Sequence, residues 1–173
     1  ATARENEPTA CCDCSCYGRY ESGGWQVYET KNFRLHFVGR EPQLAALAKA
    51  CEQTRASLRR IWLAADDSAA NPRSRVGLVS AENDETWSPK CDVYFYSDPK
   101  HYARCAGLPA DTRGTSNLQI GHGRVWTRRI HMRIDQPGYL EHVLPHELTH
   151  VVLADRFNTR QIPRWADEGI AML

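Results

Sequence analysis

His146-Glu147-Leu148-Thr149-His150 constrains this chain more than any other stretch, because its polar residues act together only on a helix. Positions four apart lie on one helical face, with Cβ atoms about 5–6 Å from each other. Two imidazoles at that spacing can converge on one ion at about 2.0–2.1 Å per bond. Glu147 is turned by about 100° from His146. It is badly placed to ligate the same ion, but its carboxylate can reach a water on it. An open site of this kind needs a third protein ligand. The candidate is Glu168 in Pro163-Arg164-Trp165-Ala166-Asp167-Glu168-Gly169, with Asp167 as its rival. Enough chain separates His150 from Glu168 for one helix to end and a second to return. Gly169 would let that second helix come close.

The remaining pattern is that of an α+β chain. Trp25, Val27, Phe33, Leu35 and Phe37 alternate with polar residues, which predicts two short strands around Lys31-Asn32. Leu44, Leu47, Cys51, Leu58, Ile61 and Trp62 recur at helical steps, which predicts a helix over 42–64 with Pro42 in its first turn. Runs at 76–79 and 91–96 are β-rich, and 98–106 can form a short helix. Residues 107–123 have the Gly, Pro, Asp, Thr and Ser content of a long loop. Over 125–135, Trp126, Ile130, Met132 and Ile134 share one strand face, and Thr127, Arg129, His131 and Arg133 the other. Arg128 interrupts the apolar face, which suggests a bulge. Pro145 requires the helix over 140–155 to start or kink beside it.

HELTH followed by PRWADEG resembles the gluzincin metallopeptidases, the thermolysin-like group, and in particular the bacterial peptidase MA-like domains. The specific part of the likeness spans 144–171. A weaker likeness runs back through Asn32-Phe33-Arg34 and the 42–64 helix to Tyr94-Phe95-Tyr96. The resemblance implies one Zn2+ bound by His146, His150 and Glu168, with Glu147 as general base in peptide-bond hydrolysis. It also implies that residues 125–134, including Arg129, Ile130, His131 and Met132, form the edge strand that receives an extended peptide or protein substrate. The expected fold is a mixed, mostly antiparallel sheet packed on helices, zincin-like, with the HExxH helix under the edge strand. The catalytic domain would cover 25–173, after an irregular cysteine-rich leader over 1–24, and would be truncated at its C-terminus. Thermolysin-like enzymes often carry an Asp four residues after the ligand Glu and a later His or Tyr that supports the oxyanion. Position 172 is Met, and the local candidates for the second role are Tyr139, His142 and His131.

Other features narrow the alternatives. A formal net charge of +1 sets no field for nucleic acid, so the basic stretch Arg124, Arg128, Arg129 and Arg133 is expected to be a solvated strand face or a preference for acidic substrates. No apolar run is long enough for a membrane span. Seven cysteines favour an oxidising, extracytoplasmic compartment, and the cluster Cys11, Cys12, Cys14 and Cys16 is expected to be disulfide-stapled rather than metallated. His142, four residues before His146, is expected at the surface or beside the ligands, and Asp167 bonded to a ligand histidine or capping its helix, rather than on the ion. The competing functions are an inactive metal- or protein-binding module on the same fold and a redox or metal protein centred on the N-terminal cysteines.

Overall fold

Asn32 closes the first hairpin and ties it to the first helix. Strands β1 (Trp25–Glu29) and β2 (Phe33–Val38) pair antiparallel, from Trp25 opposite Val38 to Glu29 opposite Arg34. At the turn, Asn32 donates its main-chain N–H to Glu52 Oε1 at 2.8 Å and its side-chain amide to Oε2 at 2.7 Å. Glu52 lies on α1 (Leu44–Leu63), and Asn32 Oδ1 in turn accepts the N–H of Trp87 at 2.9 Å. The computed structural model describes residues 24–38, 43–63, 86–157 and 162–173. The expectations for Cys11, Cys12, Cys14 and Cys16, for Pro42 and for a strand at 76–79 lie outside them. Cys51 and Cys91 are buried free thiols.

The chain continues through β3 (Cys91–Tyr96), α2 (Pro99–Ala106), β4 (Gly114–Gly121), β5 (Arg124–Arg133), α3 (Leu144–Arg156) and α4 (Arg164–Ala171). The strands form a single sheet in the order β1-β2-β3-β5-β4. The fold is α+β with a mixed sheet. Antiparallel pairing does not dominate as expected. The hairpins β1-β2 and β4-β5 are antiparallel, while β3 runs parallel to both β2 and β5. Parallel neighbours require crossover connections, and α1 lies within the first of them. Among the described residues, no helix is long and apolar enough to cross a membrane.

The edge strand is not the expected one. Residues 114–121, with the composition of a loop, form β4 and take the outer position. β5 is interior. Arg129 pairs with Asp92 and Asn117, Ile130 with Val93 and Ser116, His131 with Tyr94 and Thr115, and Met132 with Phe95 and Gly114. Ladders on both sides occupy the β5 main chain from Arg128 to Met132, so the four residues expected at the edge have none to offer a third strand.

The helix-facing side of the sheet carries the core. Phe33, Leu35, Cys91, Val93, Phe95, Ile130 and Met132 pack against Leu47, Ala48 and Cys51 of α1 and Leu144, Leu148, Val151 and Val152 of α3. Ile61 departs from the expected stripe and is 59% exposed; the stripe continues instead through Arg55, which is buried. Ile61 sits one residue, about 100°, away from the line through Cys51, Arg55, Leu58 and Trp62. A bulge does interrupt β5, but at Trp126 rather than Arg128. Gln119 pairs with Thr127 and Ile120 with Val125, so Trp126 is the extra residue. It turns outward, and Val125 takes the buried place.

Arg128 stays on the inner face because its two terminal guanidinium nitrogens find acceptors there. It binds Asp155 of α3 at 2.5 Å and the Pro89 carbonyl at 2.7 Å, and its guanidinium lies 5.2 Å from the Trp87 ring centre. Trp87 donates its indole N–H to the other Asp155 oxygen, and Arg55 stacks on the same ring at 4.6 Å. The cluster joins β5, α3 and α1. On the opposite face, His36, Tyr94 and His131 stack with ring centres 4.2 and 4.8 Å apart. Asp92 binds His36 and Arg34, and Tyr96 OH meets His131 Nδ1 at 2.7 Å. Burial, then the charges of Arg129 and His36, push the His131 imidazole down to about 4, against the pull of Asp92.

Two stability measurements follow from these clusters. Asp155→Ala leaves a buried guanidinium and an indole N–H without their acceptor. Urea unfolding should show a loss of about 3 kcal/mol, and a change below 1 kcal/mol would mean that the cluster is not stabilising. His131 titrates lower in the folded chain than in the unfolded one, so the unfolded chain takes up the proton first. Its contribution is complete above pH 6.5 and is lost as pH falls towards 4, by up to about 3 kcal/mol. His131→Phe should flatten the pH dependence of unfolding in that window. An unchanged slope would exclude a buried neutral imidazole.

Candidate metal centre

Helix α3 begins where Pro145 allows it. Residues Tyr139–Val143 make one wide π turn, closed by the Leu144 N–H on the Tyr139 carbonyl. Pro145 then falls in the first turn of α3, where its missing N–H needs no partner. The wide turn also breaks the phase between His142 and His146. His142 is exposed and lies against Gly138, where an added Cβ would stand 3.0 Å from its ring.

His146, His150 and Glu168 are brought together, each offering one donor atom within 4.8 Å of the others. His146 Nδ1 meets the Ala171 carbonyl at 3.1 Å. A carbonyl only accepts, so this nitrogen carries the proton and Nε2 is bare. His150 Nδ1 lies 3.0 Å from Asp167 Oδ1, although the carboxylate stands off the line of a formed hydrogen bond. That anion favours the same tautomer. The two Nε2 atoms then face each other at 3.3 Å, with Glu168 Oε2 at 3.7 Å from His146 and 3.8 Å from His150. Three acceptors converge with no donor among them. A tetrahedral ion with bonds of about 2.0–2.1 Å separates its ligands by about 3.3–3.4 Å. The imidazole pair already has that spacing, and the half-exposed Glu168 side chain is a few tenths of an ångström outside it. A proton would bridge two of the three acceptors; a divalent cation satisfies all three.

Glu147 stands beside this group and not in it. Only 6% of it is exposed. Burial pushes its carboxyl above the usual range, while His146, His150 and a hydrogen bond from Ser116 pull it back. Ser116 and Gly114 belong to β4, whose inner face passes over α3. Tyr102 of α2 is also fully buried here, with a hydroxyl that has no hydrogen-bond partner. Burial first, then the charge of Glu147, raises its phenol to about 12.

Several expected roles find no place. His131 points to the sheet face opposite α3. Tyr139 packs on the core, and His142 is outside the cluster. Gly169 is not a close-approach glycine, since a Cβ there meets nothing within 4 Å. Asp167 does sit beside a histidine, as expected. The sequence reading missed Gly114, Ser116, Tyr102 and the Ala171 carbonyl. Alternating Leu118 and Ile120 were the one available sign of β4.

Comparison with protein-family models gives no match, and comparison with curated proteins gives none either.

Competitive titration against a chromophoric chelator should find one zinc ion per chain. His150→Ala should weaken it by more than Asp167→Asn, and Asp167→Asn by about 10- to 100-fold. Absence of zinc binding by the unmodified protein would remove the metal centre.

Proposed function

We propose that this chain is a zinc-dependent peptide hydrolase of the gluzincin kind, with His146, His150 and Glu168 holding the ion and Glu147 as general base. The observation that carries this reading is the convergence of three acceptor atoms beside a buried carboxylate that is free of the cluster. A site meant only to hold structure is usually closed by four ligands and has no use for such a base. Two imidazoles and one carboxylate suit zinc among the common divalent ions.

A bound zinc ion would polarise the scissile carbonyl and lower the pKa of a water. The rest falls to the chain's own groups. The Ala171 carbonyl holds His146 in the tautomer that leaves Nε2 free, and the Asp167 carboxylate, 3.0 Å from His150 Nδ1, favours the same tautomer there. Glu147 accepts a proton from the attacking water and returns it to the departing amine nitrogen. Its burial keeps that carboxylate out of competition from bulk water. The outer edge of β4 would receive the substrate as an added strand, with main-chain hydrogen bonds giving affinity. This assigns to β4 the docking role expected of residues 125–134, and it puts the HExxH helix beneath the edge strand. An extracytoplasmic setting rests on the cysteine content alone.

The test compares wild type with Glu147→Gln on a quenched-fluorescence peptide library, with zinc content measured in both. Glu147→Gln should keep its zinc and lose at least 100-fold in kcat. Zinc-loaded wild type that cleaves no peptide would instead identify a binding module.

A further inference from the structure

The inner face of β4 changes character along its length. Leu118 packs on the core, Ser116 lies close enough to the Glu147 carboxylate for its hydroxyl to pull that carboxyl down, and Gly114 abuts Glu147 directly. These three residues alternate along the strand and therefore share one face. A Cβ at position 114 would stand 2.6 Å from Val143 Cγ1, 3.0 Å from Glu147 Oε1 and 3.2 Å from Glu147 Cγ. The first distance is impossible without movement. Val143 is β-branched and stiff at χ1, and it ends the π turn that sets the start of α3. The Glu147 side chain, at the two longer distances, would have to give by a few tenths of an ångström as well. None of the three metal-holding side chains is among the groups that such a Cβ meets.

We infer that the edge strand positions the general base, with Gly114 leaving the volume that the Glu147 side chain occupies and Ser116 fixing its carboxylate by donating the hydroxyl proton. The inference rests on the hydrolytic reading above for its effect on rate, but not for its effect on geometry. Ser116 and Gly114 are positioning residues. They act on Glu147, and β4 thereby couples the docking edge to the base one residue-width away.

Three variants test it: Ser116→Ala, Ser116→Thr and Gly114→Ala. Each is assayed for zinc content, for kcat and KM on a cleaved peptide, and by a crystal structure of the folded protein. Ser116→Ala should keep its zinc, lose about five- to tenfold in kcat, as for one hydrogen bond, and change KM little. Ser116→Thr, which retains the hydroxyl, should recover most of that loss. The Gly114→Ala structure should show Val143 displaced and the Glu147 side chain moved by a few tenths of an ångström or more, with His146, His150 and Glu168 in place. The inference is overturned if Ser116→Ala keeps the wild-type kcat, if Ser116→Thr fails to restore it, or if zinc is lost in parallel. It is equally overturned if Glu147 keeps its position in both alanine variants. That structural result decides the matter even where zinc-loaded wild type proves inactive, an outcome that would sink the hydrolytic reading alone.

Discussion

One helix must satisfy two demands, and the rest of the structure follows from how α3 divides itself between them. Leu144, Leu148, Val151 and Val152 have to leave water against the sheet and α1. Burying four such side chains contributes several kcal/mol, about 1.5–3 for each. This apolar contact fixes the rotation of α3 about its own axis. Once it is fixed, His146 and His150 have to project from the flank towards α4, and Glu147 from the opposite flank towards β4. The site does not orient its own helix; the core does. The buried Arg128–Asp155 pair, near the other end of α3, sets its position along the sheet.

The parts of this architecture that were legible in the sequence are those in which one periodicity served one purpose. α1 and β2 bury a single face, and most of their apolar residues recur as such a face requires, whereas Val27 of β1 pairs with His36 and is exposed. The HExxH helix was legible because four-residue spacing has few other uses for histidine. β4 was illegible for a physical reason. Its inward positions meet a carboxylate rather than a core over half of its length, so Gly114 and Ser116 replace the apolar residues that would have announced a strand. The composition that suggested a loop is the composition of a strand lining a site.

The misplaced edge has another origin. β5 alternates because one of its faces lies against the core, with Arg128, Ile130 and Met132 buried, and its place at the edge followed from the family resemblance rather than from that alternation. Interior strands carry most of the apolar signal in any sheet, whereas edges are often polar and weakly patterned. The bulge at Trp126 compounded the problem. An extra residue inverts the phase on one side of it, so Trp126 appeared to share a face with Ile130 that it does not share. Arg128 needed a partner that lies far along the chain, Asp155, and no local pattern could supply it.

The bulge also sets a length. From Gly114 to Gln119 the β4-β5 ladder keeps a constant register, and beyond Gln119 the register shifts and the ribbon gains twist. At about 3.3 Å per residue, the straight stretch is roughly 20 Å long, with Gly114 and Ser116 near one end. Measured from the residues over Glu147, the straight rail runs on towards Gln119 and stops at Gly114, where β4 begins. The hairpin is therefore a ruler with a stop at one end, and its zero lies over Glu147.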